Sequence, residues 1–253
     1  MTRGQLAWLL PGMVALAACA TRAPDPPPPV TLYLPLALPD PTATVRLEKG
    51  PPAALPARAV TPDRRALLDP ALAVAKAPEV YRARFRTTQG DFVVEVHRAW
   101  APNGADRFYN LVHAGFYDGT RFFRAIAGFM VQWGISGDPA VSAAWHQAHL
   151  EDDPHVRSNT RGTMSFAKTG APDSATTQVF VSYGDNSRLD ALRYTPFGEV
   201  VEGMSALDGF YKGYGEGEPG GKGPSQGRME KEGDAYLDGF PLLDRVLDAR
   251  VEE

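Results

Sequence analysis

The chain has 253 residues, a formal net charge of −4, 43% hydrophobic residues and 22% charged residues. This apolar share is enough for a core and excludes a wholly disordered chain, and the length suits one ordinary domain with additional segments. The mildly acidic balance argues against a dedicated nucleic-acid binder, which would carry a basic surface. We therefore expect no nucleic-acid partner. The single cysteine excludes an internal disulfide framework and any multi-thiolate metal site.

The first residues have the pattern of an export signal. Arg3 precedes an apolar run over residues 6–18, which is interrupted by one proline and one glycine. Such a run is too short to span a bilayer comfortably, and a cationic start followed by it is typical of secretory signal peptides. The sequence therefore predicts a cleaved signal over residues 1–18.

Residues 16–19 read Leu-Ala-Ala-Cys and resemble the lipobox of bacterial lipoproteins. The resemblance implies a lipoprotein-type signal peptide, cleavage before Cys19 and acylation of its sulfur. Several acyl chains, at about 0.8 kcal/mol per buried methylene, anchor a protein stably. We expect an exported protein that is lipid-anchored to a bacterial membrane and faces the periplasm, and Ala20 in place of Asp favours the outer membrane. The alternative is an ordinary small-residue cleavage site with an unmodified cysteine.

Residues 19–80 form a proline-rich tether. Of the 23 prolines in the chain, 14 lie between residues 20 and 80, including four in succession at 26–29. Proline removes a backbone donor and fixes φ, so neither a sheet nor a long helix can continue through that density. The sequence predicts a disordered stalk with weak local elements only, which are two short strands at 30–38 and 42–47 and a short helix at 64–77.

From residue 81 to 253 the sequence has the pattern of a folded domain. Residues 81–87 and 92–96 alternate apolar and polar side chains around a turn and predict an antiparallel hairpin. A helix is predicted to begin at Pro102 and to end at Gly115. Many short apolar runs with two helices favour a closed β-barrel or sandwich over a parallel βαβ sheet. The further predicted elements are strands at 121–126, 129–133, 162–167, 178–183 and 197–201, a second helix near 206–211 and a closing strand at 240–246.

Several spaced motifs carry a resemblance to a known family. They are FFRAIAGFMVQ at 122–132, GTMSFA at 162–167, QVFV at 178–181, and LD at 189–190 followed by Tyr194 and FGEV at 197–200. In this order they resemble the cyclophilins, the peptidyl-prolyl cis–trans isomerases, over residues 81–253. The resemblance implies a mainly β fold, a closed eight-stranded antiparallel barrel capped by two helices. It also implies activity on proline-containing polypeptides without cofactor or metal, and we expect a monomer.

The chemistry of the reaction indicates which side chains matter. Rotation about an X–Pro bond must break amide resonance, a barrier of about 20 kcal/mol, and needs no nucleophile or proton relay. Arg124 is the predicted catalytic residue, because a guanidinium donor binds the localised lone pair of the twisted prolyl nitrogen better than the planar amide. By resemblance, Gln132 hydrogen-bonds the substrate backbone. The residues assigned by resemblance to substrate binding are Phe129, Met130, Phe180, Leu189, Tyr194, Ala167, Lys168 and Gln178.

Two of these positions depart from the family pattern, and one pair poses a geometric problem. Tyr194 stands where many family members have His, and Lys168 stands where they have Asn. Phe129 and Met130 are adjacent, so on a regular strand their side chains would point to opposite faces. We expect a bend or a bulge at this pair.

Three other sequence patterns were considered as signs of a different chemistry, and each is weaker than the motifs for the isomerase. Residues 215–220 match G-x-G-x-x-G, but they contain proline and acids and follow no buried strand, so we interpret them as a glycine-rich loop rather than a dinucleotide site. No G-x-S-x-G hydrolase motif occurs. Six side chains could gather a divalent ion, although a polar surface loop explains them better: His146, His149, Glu151, Asp152, Asp153 and His155.

The sequence thus predicts an isomerase that assists the folding of exported proteins. One alternative is a non-catalytic module that binds proline peptides in the same groove from a lipid tether. Another is a stalked surface protein without a ligand site. Arg124 favours the enzyme, because a module that only binds has no need of a transition-state donor.

Overall fold

The computed structural model describes residues 64–252, which contain eight strands and six α-helices. The signal peptide, Cys19 and the tether up to residue 63 lie outside the described residues. Two 3₁₀ turns occur at Pro70–Leu72 and Ser187–Leu192. The strands are β1 Val80–Thr87, β2 Gly90–His97, β3 Arg124–Ile126, β4 Met130–Trp133, β5 Thr163–Phe166, β6 Val179–Ser182, β7 Pro196–Glu202 and β8 Val246–Glu252. The helices are α1 Arg65–Leu68, α2 Pro102–Ala114, α3 Pro139–Trp145, α4 Met204–Asp208, α5 Gln226–Glu232 and α6 Asp234–Leu237.

All eight strands form one antiparallel sheet in the order β3-β4-β6-β5-β7-β2-β1-β8. Register shifts at three pairings, between β1 and β8, β2 and β7, and β5 and β7, bend the sheet into a curled half-barrel. The prediction of a closed barrel is wrong. The edge strands β3 and β8 share no ladder, because β3 has only three residues and the chain before it makes a single bridge, between Arg121 and Arg245.

The hairpin and the first helix agree with the sequence pattern. On β1, Tyr81, Ala83 and Phe85 are buried, and the Phe85 ring stacks on Phe92 of β2 with 4.9 Å between centroids. Helix α2 ends at Gly115, whose φ of 71° is left-handed and suits glycine. Its apolar face packs into the curl of the sheet and completes the main core.

The folded part of the chain extends N-terminal to residue 81, which is the predicted start of the domain. Leu67 of α1 is buried, and its carbonyl accepts a hydrogen bond from Trp145 Nε1 at 3.2 Å. Asn110 of α2 donates to the Ala75 carbonyl at 2.7 Å and accepts from the Ala75 N–H at 3.0 Å. Residues of the segment 64–77, which we predicted to be a weak local helix of the tether, therefore pack against the domain.

The C-terminal region differs from the sequence prediction. Two capping helices were expected, whereas the described residues also hold α3, α5 and α6. Helices α5 and α6 contribute to a second small core that includes Phe123, Met229 and Leu243, and the buried residues Val141 and Trp145 of α3 belong to the main core. The closing strand is β8 at 246–252 and not 240–246, because Leu243 is drawn into that second core while β8 pairs with β1. Because β8 contains several charged residues, its alternation of inward and outward side chains was not recognised in the sequence. Among residues 64–252 the longest helix is α2, with 13 residues, and no helix has the length and apolarity to cross a membrane.

Candidate active site

A groove of about 650 Å³ lies on the outer side of the sheet at β3, β4 and β6. It contains all ten residues that the sequence assigned to catalysis or substrate binding. These are Arg124, Gln132, Phe129, Met130, Phe180, Leu189, Tyr194, Ala167, Lys168 and Gln178. The groove is also lined by residues that the sequence did not assign to catalysis or substrate binding, which are His146, His149, Thr169, Ser174, Thr176, Gln226 and Glu230.

Strand register places the central side chains in a row. Arg124 of β3 lies opposite Gln132 of β4, and Gln132 lies opposite Phe180 of β6. Directly opposed residues of antiparallel strands share a face, so these three side chains point into the same groove. Arg124 Nη1 donates to Gln132 Oε1 at 3.0 Å, and Gln132 Nε2 donates to Gln178 Oε1 at 2.8 Å. The hydrogen-bonded row fixes the orientation of both polar groups.

A turn brings Phe129 and Met130 to one groove. Gly128 has a left-handed φ of 73°, and Phe129 lies in the turn before β4 rather than on the strand. The Phe129 carbonyl accepts hydrogen bonds from the Tyr183 N–H and from Asn186 Nδ2, both at 2.8 Å. The expected bend is therefore a tight turn, and the usual alternation of a strand does not apply to this pair.

The Arg124 guanidinium is held from two sides. Besides Gln132, it contacts Glu216, whose Oε2 accepts from Nη2 at 2.6 Å. Its Cζ lies 5.6 Å from the centroid of the Phe129 ring. Within the described residues, the buried Nε of Arg124 has no hydrogen-bond partner. The groove thus presents a fixed cation beside an aromatic ring and the thioether of Met130, which lies 4.0 Å from Nη1.

Sequence reasoning missed Glu216, which lies 92 residues from Arg124 in the chain. Burial alone would raise the pKa of the Glu216 carboxyl, but the hydrogen bond and charge of Arg124, with the Gly217 N–H, hold that pKa below its usual value. The carboxylate is therefore charged at neutral pH. The only sequence signal for it was an acid within the glycine-rich segment that we interpreted as a loop.

Comparisons with known proteins agree with this geometry. The family described as cyclophilin type peptidyl-prolyl cis-trans isomerase/CLD matches residues 82–226. A peptidyl-prolyl cis-trans isomerase of Acinetobacter baylyi is 36% identical over 127 residues, which cover 49% of this chain and 68% of that protein. Peptidyl-prolyl cis-trans isomerase B of Escherichia coli is 35% identical over 131 residues, or 49% of this chain and 80% of that protein. The chain belongs to the cyclophilin-type peptidyl-prolyl cis-trans isomerase family.

A solved structure shows the same fold. The crystal structure of a Cryptosporidium parvum cyclophilin-type isomerase aligns with a TM-score of 0.51 at 20% identity and covers 69% of this chain and 98% of its own. By the family match and the sequence relatives, the chain is an enzyme of the cyclophilin type. The family match ends at residue 226, so helix α6 and strand β8 lie beyond the matched region.

The far wall of the groove in this cyclophilin-type isomerase rests on a buried ion pair. Lys168 Nζ lies 2.5 Å from Asp152 Oδ2, and their side chains are only 6% and 9% exposed. Tyr194 Oη donates to the Lys168 carbonyl at 3.3 Å, and the Lys168 ammonium lies 5.6 Å from the Tyr194 ring. The positive charge of Lys168 is therefore neutralised within the wall and is not offered to a ligand.

The 3₁₀ turn that carries Leu189 is fixed by its neighbour Asp190. The Asp190 carboxylate accepts from Ser158 Oγ at 2.5 Å, and from the N–H and Nδ2 of Asn159 at 3.0 and 2.8 Å. Asn159 Nδ2 also donates to the Tyr194 carbonyl at 2.6 Å. Burial raises the pKa of Asp190, but the hydrogen bonds from Ser158 and Asn159 outweigh it and leave that pKa below its usual value. One buried network thus positions both Leu189 and Tyr194.

Four of the six side chains considered for a metal site have separate partners. Asp153 accepts from the Asn103 and Gly104 N–H groups at the start of α2, and Asp152 pairs with Lys168. His146 lies 3.5 Å from Glu230, and His155 lies 3.6 Å from Asp190. No group of three or more His, Cys, Asp or Glu side chains that could hold a metal ion occurs in the part of the chain that the structure describes.

Proposed function

We propose that this cyclophilin-type enzyme catalyses rotation about X–Pro bonds with Arg124 as the donor to the prolyl nitrogen. The observation that carries the proposal is the convergence of a fixed guanidinium and an apolar surface in one groove. The apolar part is formed by Phe129, Met130, Phe180 and Leu189. A proline ring fits such a surface, and one of the solved relatives, from Cryptosporidium parvum, was studied in the presence of the dipeptide Ala-Pro.

The mechanism follows from the electronics of the amide. In the planar ground state the prolyl nitrogen lone pair is delocalised, so it is a poor acceptor. Twisting the bond localises the lone pair, and a guanidinium N–H of Arg124 then binds it more strongly. An interaction that strengthens only in the transition state raises kcat. Gln132 orients the guanidinium, and its amide also serves as the hydrogen-bond partner of the substrate backbone.

Replacing the guanidinium is the decisive test. In an isomerisation assay on the purified full chain, Arg124→Ala should lower kcat/KM at least about a hundredfold, which corresponds to about 2.7 kcal/mol of transition-state stabilisation. Arg157→Ala is the matched control, because Arg157 contacts Trp100 and Glu199 away from the groove. A folded wild type that binds proline peptides without accelerating isomerisation would instead favour the non-catalytic binding module.

We also propose that the enzyme acts on exported proteins from a lipid anchor at Cys19, facing the periplasm. The support is the signal-like run at 1–18, the lipobox-like residues 16–19 and the proline-rich tether. Mass spectrometry of the membrane fraction should find Cys19 at the N-terminus with acyl chains. Cys19→Ser should move the protein to the soluble fraction. An intact N-terminus, or an unmodified Cys19, contradicts the anchor.

A further inference from the structure

The glycine-rich segment 215–223, here named the Glu216 loop, delivers a carboxylate to the predicted catalytic arginine. Glu216 Oε2 accepts from Arg124 Nη2 at 2.6 Å, and Glu216 Oε1 accepts from the Gly217 N–H at 3.0 Å. Both carboxylate oxygens are therefore engaged. The side chain is 41% exposed, so its two hydrogen bonds rather than burial restrict its orientation.

The glycines of the Glu216 loop have a structural use. The Gly223 N–H donates to the Glu216 carbonyl at 2.8 Å, and a Cβ at Gly223 would lie 2.8 Å from that same oxygen. A Cβ at Gly221 would also collide with the Glu216 main chain. Gly215 adopts a φ of 63°, a left-handed conformation. Glycines within and directly after the segment that matches a dinucleotide motif therefore close the chain tightly around Glu216.

We infer that Glu216 is a positioning residue for Arg124, an inference that rests on the proposed function. Gln132 on β4 holds Nη1, and Glu216 on the loop holds Nη2, so the planar guanidinium is fixed between two acceptors from separate elements. Arginine has considerable rotamer freedom, and a planar fork held at both ends is pre-organised. Nη2 keeps a further N–H for the twisted amide, and besides Gln132 the Nη1 group contacts only the weakly accepting Met130 sulfur at 4.0 Å.

The inference predicts a loss in kcat rather than in KM. A displaced guanidinium binds the twisted nitrogen less well, while the apolar pocket that binds the planar substrate is unchanged. Glu216→Ala should lower kcat about tenfold and leave KM within about twofold. Glu216→Asp keeps the charge but is one methylene shorter, so its kcat should approach that of the alanine variant. Glu216→Gln keeps the reach and an acceptor oxygen, so its kcat should stay within about threefold of wild type.

The test measures kcat and KM of the full chain for these three variants. Glu232→Ala is the matched control, because Glu232 pairs with Arg228 at 2.7 Å on α5 and does not line the groove. This control should stay within about twofold of wild type. If the alanine variant does not fold, the aspartate and glutamine variants decide the question by their order.

The outcomes separate this inference from the proposed function. A hundredfold loss in Arg124→Ala beside an unchanged or raised kcat in Glu216→Ala overturns the inference alone. A loss in Glu216→Gln as large as in Glu216→Ala shows that charge matters instead of position, and it also overturns the inference. Wild-type activity in Arg124→Ala overturns the proposed function together with the inference. In the Arg124→Ala background, adding Glu216→Ala should change kcat less than twofold if the glutamate acts through the arginine.

Discussion

The strand wall of the groove, formed by β3, β4 and β6, differs in how its side chains are placed from what we call the loop wall, the loops that carry Lys168 and Glu216. On the strand wall, Arg124, Gln132 and Phe180 occupy opposed positions of neighbouring strands. Register alone fixes which face they share, because side chains alternate with a period of two. Within each strand, the local alternation is therefore enough to predict which side chains face the groove.

The loop wall depends on individual pairs between distant residues. Asp152 and Lys168 are 16 residues apart, and Glu216 reaches Arg124 across 92 residues. These contacts follow no periodicity, and each one ties a loop residue to a side chain on another segment of the chain. The comparison indicates that substitutions on the strand wall should affect the chemistry, whereas substitutions on the loop wall should affect stability and orientation.

The largest expected effect tests the loop wall. Lys168→Met leaves the Asp152 carboxylate buried without its cation, so the free energy of unfolding should fall by about 3 kcal/mol. Chemical denaturation measures this change. Arg161→Met is the control, because the Arg161–Asp208 pair is 48% and 46% exposed and should contribute less than about 1 kcal/mol. Equal losses in the two variants would contradict the view that the loop wall is built on the buried pair.

The next effect tests the strand wall. Gln132→Ala removes the acceptor of Arg124 Nη1 and the proposed partner of the substrate, so kcat/KM should fall about thirtyfold, or about 2 kcal/mol. Gln178→Ala removes the partner of Gln132 and does not contact Arg124, and it should cost only about threefold. Steady-state kinetics of both variants decide the matter. A larger loss of kcat/KM in Gln178→Ala than in Gln132→Ala would show that strand register does not determine which side chains act in catalysis.

Much of the fold could be predicted because its signals are local. The alternation of β1 and β2 and the Gly115 cap of α2 lie in the sequence itself. The lack of pairing between the edge strands β3 and β8 could not be predicted. Barrel closure depends on whether these two strands pair, and they are 120 residues apart in the chain. The sequence prediction placed the closing strand too early in the chain for two reasons. Arg and Asp side chains occupy the outward positions of β8, and the apolar residue before it, Leu243, belongs to the second core.

Motifs in the sequence predicted the residues that line the groove, but not the acidic side chains that pair with them. The ten assigned residues meet in one groove because the motifs contain whole strands, whose register brings them together. Glu216 and Asp152 carry no local signal for their ion pairs, since an acid in a loop is ordinarily a solvated residue. Their roles become visible only when the tertiary structure brings a cation within reach.

A smaller effect concerns the turn that carries Leu189. Asp190→Asn weakens the hydrogen bonds from Ser158 and Asn159, so the free energy of unfolding should fall by about 1.5 kcal/mol at pH 7. Because the folded pKa of Asp190 lies below its ordinary value of 3.8, its contribution is complete above that value and is lost as the pH falls through the lower folded value. The difference between wild type and variant should therefore narrow below about pH 4. Urea denaturation at pH 7 and pH 3 measures it, with the exposed Asp208→Asn as control. A constant difference at both pH values would contradict the assignment.

The smallest expected effect lies where the two walls meet. The Arg188 guanidinium lies 4.5 Å from the centroid of the Phe129 ring, which lines the proposed proline pocket. An exposed cation–π contact contributes about 0.5–1 kcal/mol, so Arg188→Ala should raise KM about two- to fivefold and leave kcat unchanged. Arg188→Lys keeps a cation near the ring and should change KM less than about twofold. If both variants raise KM equally, the planar shape of the Arg188 guanidinium over the Phe129 ring matters rather than its charge. If neither raises KM, Phe129 is held by its turn alone and the strand wall binds proline without help from the loop.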